Sequence, residues 1–93
     1  MKWQQKHNAL VKAFGHATLS YDQGKFNAQL DGGWVFNSAG INRETGQGRT
    51  ATQAINNLFE KMAHPAPGNE PGIMDGRLCR TKWNSHKREF VPA

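Results

Sequence analysis

Residues 18–36, TLSYDQGKFNAQLDGGWVF, constrain the fold more than any other stretch. Leu19 and Tyr21 alternate with polar residues, and so do Phe26, Ala28 and Leu30. A period of two marks a strand with one face buried. Gly24 and the cluster Asp31-Gly32-Gly33 stand where hairpin turns belong. The spacing predicts an antiparallel meander of three short strands. One face of such a sheet needs cover, and the two helical patterns that flank it supply the cover.

The second turn decides what the sheet buries. A two-residue turn at Asp31-Gly32 sets Leu30 opposite Gly33 and Ala28 opposite Val35. Val35 then shares the face of Phe26, Ala28 and Leu30, while Trp34 and Phe36 fall beside Asn27 and Gln29 on the other. A three-residue loop sets Leu30 opposite Trp34 and turns the aromatics inward. One residue of register exchanges the two faces. Burial of Trp34 and Phe36 is the preferred expectation, because large aromatics are usually mostly buried. The alternative leaves two aromatics and two amides on an open face, a platform for stacking or for a partner.

Residues 1–14 read as a helix, with Trp3, His7, Leu10, Val11 and Phe14 on one stripe and Gly15 as its stop. Residues 38–49, SAGINRETGQGR, read as a long polar loop. The helix at 50–64 is the best marked. Thr50 and Gln53 form a T-x-x-Q capping box, and Ala51, Ile55, Leu58, Phe59 and Met62 form the apolar stripe. Pro65 and Pro67 end it near His64.

Residues 65–76, PAPGNEPGIMDG, hold three of the 4 prolines and read as a linker or an extended lap. Residues 77–93 alternate in type and carry a turn candidate at Asn84-Ser85. They read as a peripheral strand or as a basic arm that orders on a partner. The fold class expected is α+β. A helix-strand-strand-strand-helix core spans 1–64, its antiparallel sheet has three or more strands, and the basic extension can add a short one.

With 93 residues the chain makes one domain with a thin margin for a core. Hydrophobic residues are 37% and the mean hydropathy is -0.76, so much of the surface is hydrophilic. The net charge of +5 favours an acidic partner such as nucleic acid or an acidic protein face. Cys79 is the sole cysteine, which excludes an internal disulfide and makes a reducing, cytosolic setting the simplest reading. No apolar run reaches membrane-spanning length, and the basic start lacks the continuous apolar segment of a signal peptide.

Motifs for catalysis and metal binding are missing. His7, His16, His64 and His86 are scattered, and no phosphate-binding lysine loop, G-x-S-x-G or H-E-x-x-H occurs. Basic neighbours surround Cys79, but a lone cysteine in an alternating stretch reads as a small apolar side chain. Neither a cofactor nor a metal is expected. Gly46-Gln47-Gly48-Arg49-Thr50 leads into the second helix and offers a weak anion site. It reads more simply as a loop ending in an N-cap. The densest charge is Arg77, Arg80, Lys82, Lys87 and Arg88, interleaved with Trp83. Basic residues around an aromatic suit a phosphate backbone and a stacked base, or the guarded edge of a sheet.

The order of elements over 1–64 is similar to that of double-stranded RNA-binding domains, and GQGRTATQAINNLFEKM resembles their approach to the second helix. The lysine cluster of that family is absent here, where only Arg49 is basic. Antitoxins of the HicB type also show a meander running into a helix. In its organisation, with a YDQGKFNAQLDGGW meander and no catalytic motif, the chain resembles small phage-encoded anti-CRISPR proteins. That resemblance implies a non-enzymatic inhibitor docking on a host CRISPR effector, its protein or its guide RNA, in the host cytosol. The contact residues expected are Asn27, Gln29, Trp34, Arg43, Arg49, Arg77, Arg80, Lys82, Trp83, Lys87 and Arg88. The alternatives are direct RNA or DNA binding through the same residues, and an antitoxin-like protein-interaction domain.

Overall fold

The first hairpin forms where Gly24 marks it. In the computed structural model, which describes residues Met1–Ala93, strands β1 (Ala17–Asp22) and β2 (Lys25–Asn37) meet at a two-residue turn. Gln23 and Gly24 take φ of 50 and 79, the left-handed pair that matches the twist of the strands. β1 covers the first half of β2, from Ala17 opposite Leu30 to Asp22 opposite Lys25.

No hairpin forms at Asp31-Gly32. β2 runs through it as one strand to Asn37 and turns at Ser38-Ala39, where the Asn37 side chain accepts from the Ala39 N–H at 2.9 Å. The third strand, β3 (Gly40–Gly48), lies in the stretch expected to be a loop. Between the pairs Gln29–Thr45 and Trp34–Arg43, residues 30–33 of β2 face only Glu44. A bulge absorbs the excess and bends the strand. It also shifts the phase of the alternation, so that Ala28, Leu30 and Val35 are all buried. The preferred burial of Trp34 and Phe36 is thereby overturned. Trp34 is half-buried, Phe36 is 44% exposed, and both lie on the face opposite Val35. The two glycines serve packing and not a turn. A Cβ on Gly32 would overlap the carbonyl of Phe14, and one on Gly33 would press on Leu30.

Helix α1 (Trp3–Phe14) buries Ala9, Leu10 and Phe14 but leaves Trp3 and Val11 exposed, a stripe rotated from the expected one. It packs against the second helix as well as the sheet, and the Lys6 ammonium sits 5.5 Å above the Phe59 ring. Helix α2 (Ala51–Ala63) starts after its predicted N-cap Thr50, but the reciprocal half of the capping box reaches one residue further back. Thr50 Oγ1 accepts from the Gln53 N–H at 3.1 Å, and the Gln53 side chain accepts from the Arg49 N–H at 2.9 Å. Ile55, Leu58, Phe59 and Met62 are buried. α2 lies directly on β3, because Gly46 presents no side chain where the Ala54 carbonyl and Leu58 amide sit.

The stretch 65–76, expected to be a linker, contains a strand. β4 (Glu70–Met74) pairs with the second half of β2, Trp34 opposite Gly72 and Phe36 opposite Glu70. Pro71 is tolerated because β5 pairs with β4 only from Gly72 onward. β5 (Leu78–Asn84) and β6 (Glu89–Pro92) complete a six-stranded antiparallel sheet. β3 flanks one edge of β2, while β1 and then β4 flank the other. The basic extension thus contributes two strands, and its aromatics enter the core. Trp83 lies 4.8 Å from Phe59 and 5.0 Å from Phe90, and Phe90 lies 4.9 Å from Phe14. The fold is α+β, with both helices on one face of the sheet. No helix is long and apolar enough to cross a membrane.

Candidate binding interface

The helices leave one face of the sheet uncovered, and cross-strand register shows which residues share it. Residues directly opposite each other in an antiparallel ladder project to the same side. From β2 the open face takes Asn27, Gln29, Trp34 and Phe36, and from β3 their partners Gln47, Thr45, Arg43 and Ile41. Glu70 of β4 stands opposite Phe36, and Arg80 of β5 stands opposite Gly72. Lys82 shares the side of Arg80, two residues on along β5. Asp22 and Lys25 close the β1–β2 hairpin on the same side.

The Trp34–Arg43 pair is the centre of this face. The Arg43 guanidinium lies 4.8 Å from the Trp34 ring, within range of a cation–π contact. Stacking there uses the guanidinium face and leaves its edge donors free to bind. Phe36 and Ile41 stand opposite each other and are 44% and 41% exposed. Further across, Arg80 pairs with Glu70 at 3.5 Å. The face therefore carries aromatic and apolar groups, amides, and cations of which two already have a partner.

Six expected contact residues come together on this surface: Asn27, Gln29, Trp34, Arg43, Arg80 and Lys82. The others do not. Arg49 lies at the approach to α2, where it lines a shallow pocket of about 270 Å³ with Lys25 and Gln47. The amides ahead of α2 are partly taken up by its own capping side chains, which weakens an anion site there. Arg77 sits in the exposed turn before β5. Lys87 and Arg88 turn toward α1, beside Gln5 and Lys12. Trp83 is a packing residue, contacting Phe59 and Phe90 on the helix side. The basic run thus divides because Arg77, Lys87 and Arg88 fall in turns, while Trp83 points to the face opposite Arg80 and Lys82.

Sequence reasoning missed Lys25, Ile41, Thr45 and Gln47 as members of the face, and put Phe36 on it only in the alternative register. The signal was present in the alternation of Ile41, Arg43, Thr45 and Gln47. It was hidden because the intervening helix-side positions hold Asn42, Glu44, Gly46 and Gly48 in place of apolar residues.

Away from this face, Lys12 Nζ donates to Glu89 Oε2 at 2.9 Å. That hydrogen bond and the charge of Lys12 hold the Glu89 carboxyl below its ordinary range. Cys79 is free and exposed. No group of three or more His, Cys, Asp or Glu side chains is placed to hold a metal ion. No protein-family model matches the chain, and neither does any curated protein or solved structure.

Proposed function

We propose that the protein is a non-enzymatic binding protein that docks through the open face of its sheet on a nucleoprotein complex. In its concrete form the reading is an anti-CRISPR-type inhibitor that covers a CRISPR effector where target nucleic acid would bind. The observation that carries it is the Trp34–Arg43 stack at the centre of an uncovered sheet face. Trp and Arg in a desolvated centre are the residue types that supply most of the energy of protein interfaces. Their neighbours Phe36 and Ile41 extend the apolar area, and Asn27, Gln29 and Gln47 form a polar margin.

Docking on protein is favoured over direct phosphate binding by the state of the cations. Arg80 is paired with Glu70 at 3.5 Å, and Asp22 stands opposite Lys25. Acids beside these cations offset their attraction for a phosphate backbone. The test is capture of partners from nuclease-treated host lysate on immobilised protein, with Trp34→Ala as control. Recovery of a CRISPR effector by the native chain and its loss with the variant is the expected result. Binding to naked RNA or DNA whose log affinity falls steeply with log salt would replace this reading with direct nucleic-acid recognition.

A further inference from the structure

The sheet has three outer strands, and only one of them is unguarded. Along β3, Asn57 of α2 donates to the Gln47 carbonyl, and Lys61 donates to the Thr45 carbonyl at 2.9 Å. Those main-chain acceptors are thus occupied from within the molecule. β6 is short, four residues, and ends at Pro92. Short edges and prolines are devices that discourage another strand from adding. β1 has neither. Its six residues, ATLSYD, include no Lys, Arg or Pro, and it pairs only with β2.

The pairing pattern shows which main-chain groups of β1 face outward. Asp22 and Lys25 flank the two-residue turn and so form a hydrogen-bonded pair. Such pairs alternate along an antiparallel ladder. The Asp31 N–H donates to the His16 carbonyl at 2.9 Å, in phase with that alternation. Even-numbered residues of β1 therefore turn their N–H and C=O groups to β2. Leu19 and Tyr21 turn theirs away. Their side chains, 44% and 64% exposed, lie on the helix side of the sheet but beyond the cover of the helices. Tyr21 rests edge-on against Phe26, with ring centroids 4.9 Å apart.

We propose that the occupant of this edge is a second copy of the chain, paired antiparallel through β1 about a two-fold axis at Ser20. The strand is complementary to itself in this register. Leu19 of each copy falls opposite Tyr21 of the other, and each such pair exchanges both of its main-chain hydrogen bonds. Each such pair also removes apolar area of both side chains from water. On the other face Asp22 falls opposite Thr18, so no like charges meet despite a net charge of +5 per copy. An axis normal to the sheet keeps the helices of both copies on one side. The two open faces then join into a single surface bearing two Trp34–Arg43 stacks, which makes the assembly bivalent toward any repetitive target.

The experiment is sedimentation equilibrium of the full chain from micromolar to near-millimolar concentration. The mass is expected to rise from 10.4 kDa toward twice that value. Leu19→Pro removes an outward N–H without touching a β1–β2 hydrogen bond, and it is expected to stay monomeric with an unchanged far-UV circular dichroism spectrum. Tyr21→Lys, at a side chain mostly in solvent, is expected to weaken the dimer at least about tenfold and stands in if the proline variant does not fold. Amide exchange of Leu19 and Tyr21 should slow as concentration rises. A native chain that stays at 10.4 kDa throughout, or a dimer as strong in the folded variants as in the native chain, overturns the proposal.

Discussion

The two faces of β2 follow opposite rules. Toward the helices it presents Phe26, Ala28, Leu30 and Val35, the first half-buried and the other three buried. Away from them it presents Asn27, Gln29, Trp34 and Phe36. Burial alone would place the largest apolar groups inside. Here the buried positions are small or aliphatic, and α2 lies directly on the neighbouring strand β3 at Gly46, opposite Ala28. The aromatics kept outside gain little for folding. The covered face serves stability, and the open face is the one we propose for contact with a partner.

Substitutions can break or sharpen that contrast. The largest effect is expected at Phe59, where α1, α2 and the C-terminal hairpin meet. Phe59→Ala should cost about 3–5 kcal/mol in chemical denaturation. Gly46→Val comes next, because its branched side chain must displace the backbone of α2. A loss of about 1–3 kcal/mol is expected, by the same measurement. A Gly46→Val protein as stable as the native one would mean that the helix does not ride directly on β3.

On the open face the pattern should invert. Phe36→Ser should change stability by no more than about 0.5 kcal/mol, as exposed substitutions usually do. Trp34→Ala and Arg43→Ala should each reduce partner affinity about tenfold or more by titration calorimetry. Their double variant should lose less than the sum, since the two residues form one stack. Additive losses would separate them into independent contacts.

The smallest effect lies at the Lys12–Glu89 ion pair, exposed at its Lys12 end. The Glu89 carboxyl is held below its ordinary value of 4.5, chiefly by the hydrogen bond from Lys12. The pair therefore adds stability above pH 4.5 and loses it as pH falls through the lowered value. Lys12→Ala should be slightly less stable than the native chain near neutral pH and should converge with it in acid. Exposed pairs contribute little, so differential thermal melts across pH are the suitable readout.

Much of the fold was legible where one residue type answered one physical demand. The Gln23-Gly24 turn, the Thr50–Gln53 cap and the stripe Ile55, Leu58, Phe59 and Met62 formed as patterned. What misled was glycine and proline doing work other than turning. Gly32, Gly46 and Gly72 each stand where another segment's backbone crosses, so β2, β3 and β4 lost their strand signature. The face holding the candidate site was legible only as an alternative, since its exposure rests on the bulge at residues 30–33. No local pattern distinguishes a bulge there from a hairpin. The tail misled for a related reason. Trp83 points away from Arg80 and Lys82 within β5, and Arg77, Lys87 and Arg88 lie in the turns at its two ends, so the apparent cluster separates.

The split edge of β2 also has a consequence for how the chain reaches this state. Its first half is matched at once by the adjoining hairpin, but its second half waits for β4, which arrives only after β3 and α2 have passed. That distant pairing raises the contact order of an otherwise local fold, and closing the loop through α2 sets the pace. A chain leaving the ribosome would carry an open ledge at Trp34–Phe36 until Met74 emerges. Lengthening the connection between α2 and β4 should slow refolding while leaving the hairpin of β1 and β2 to form as fast as before.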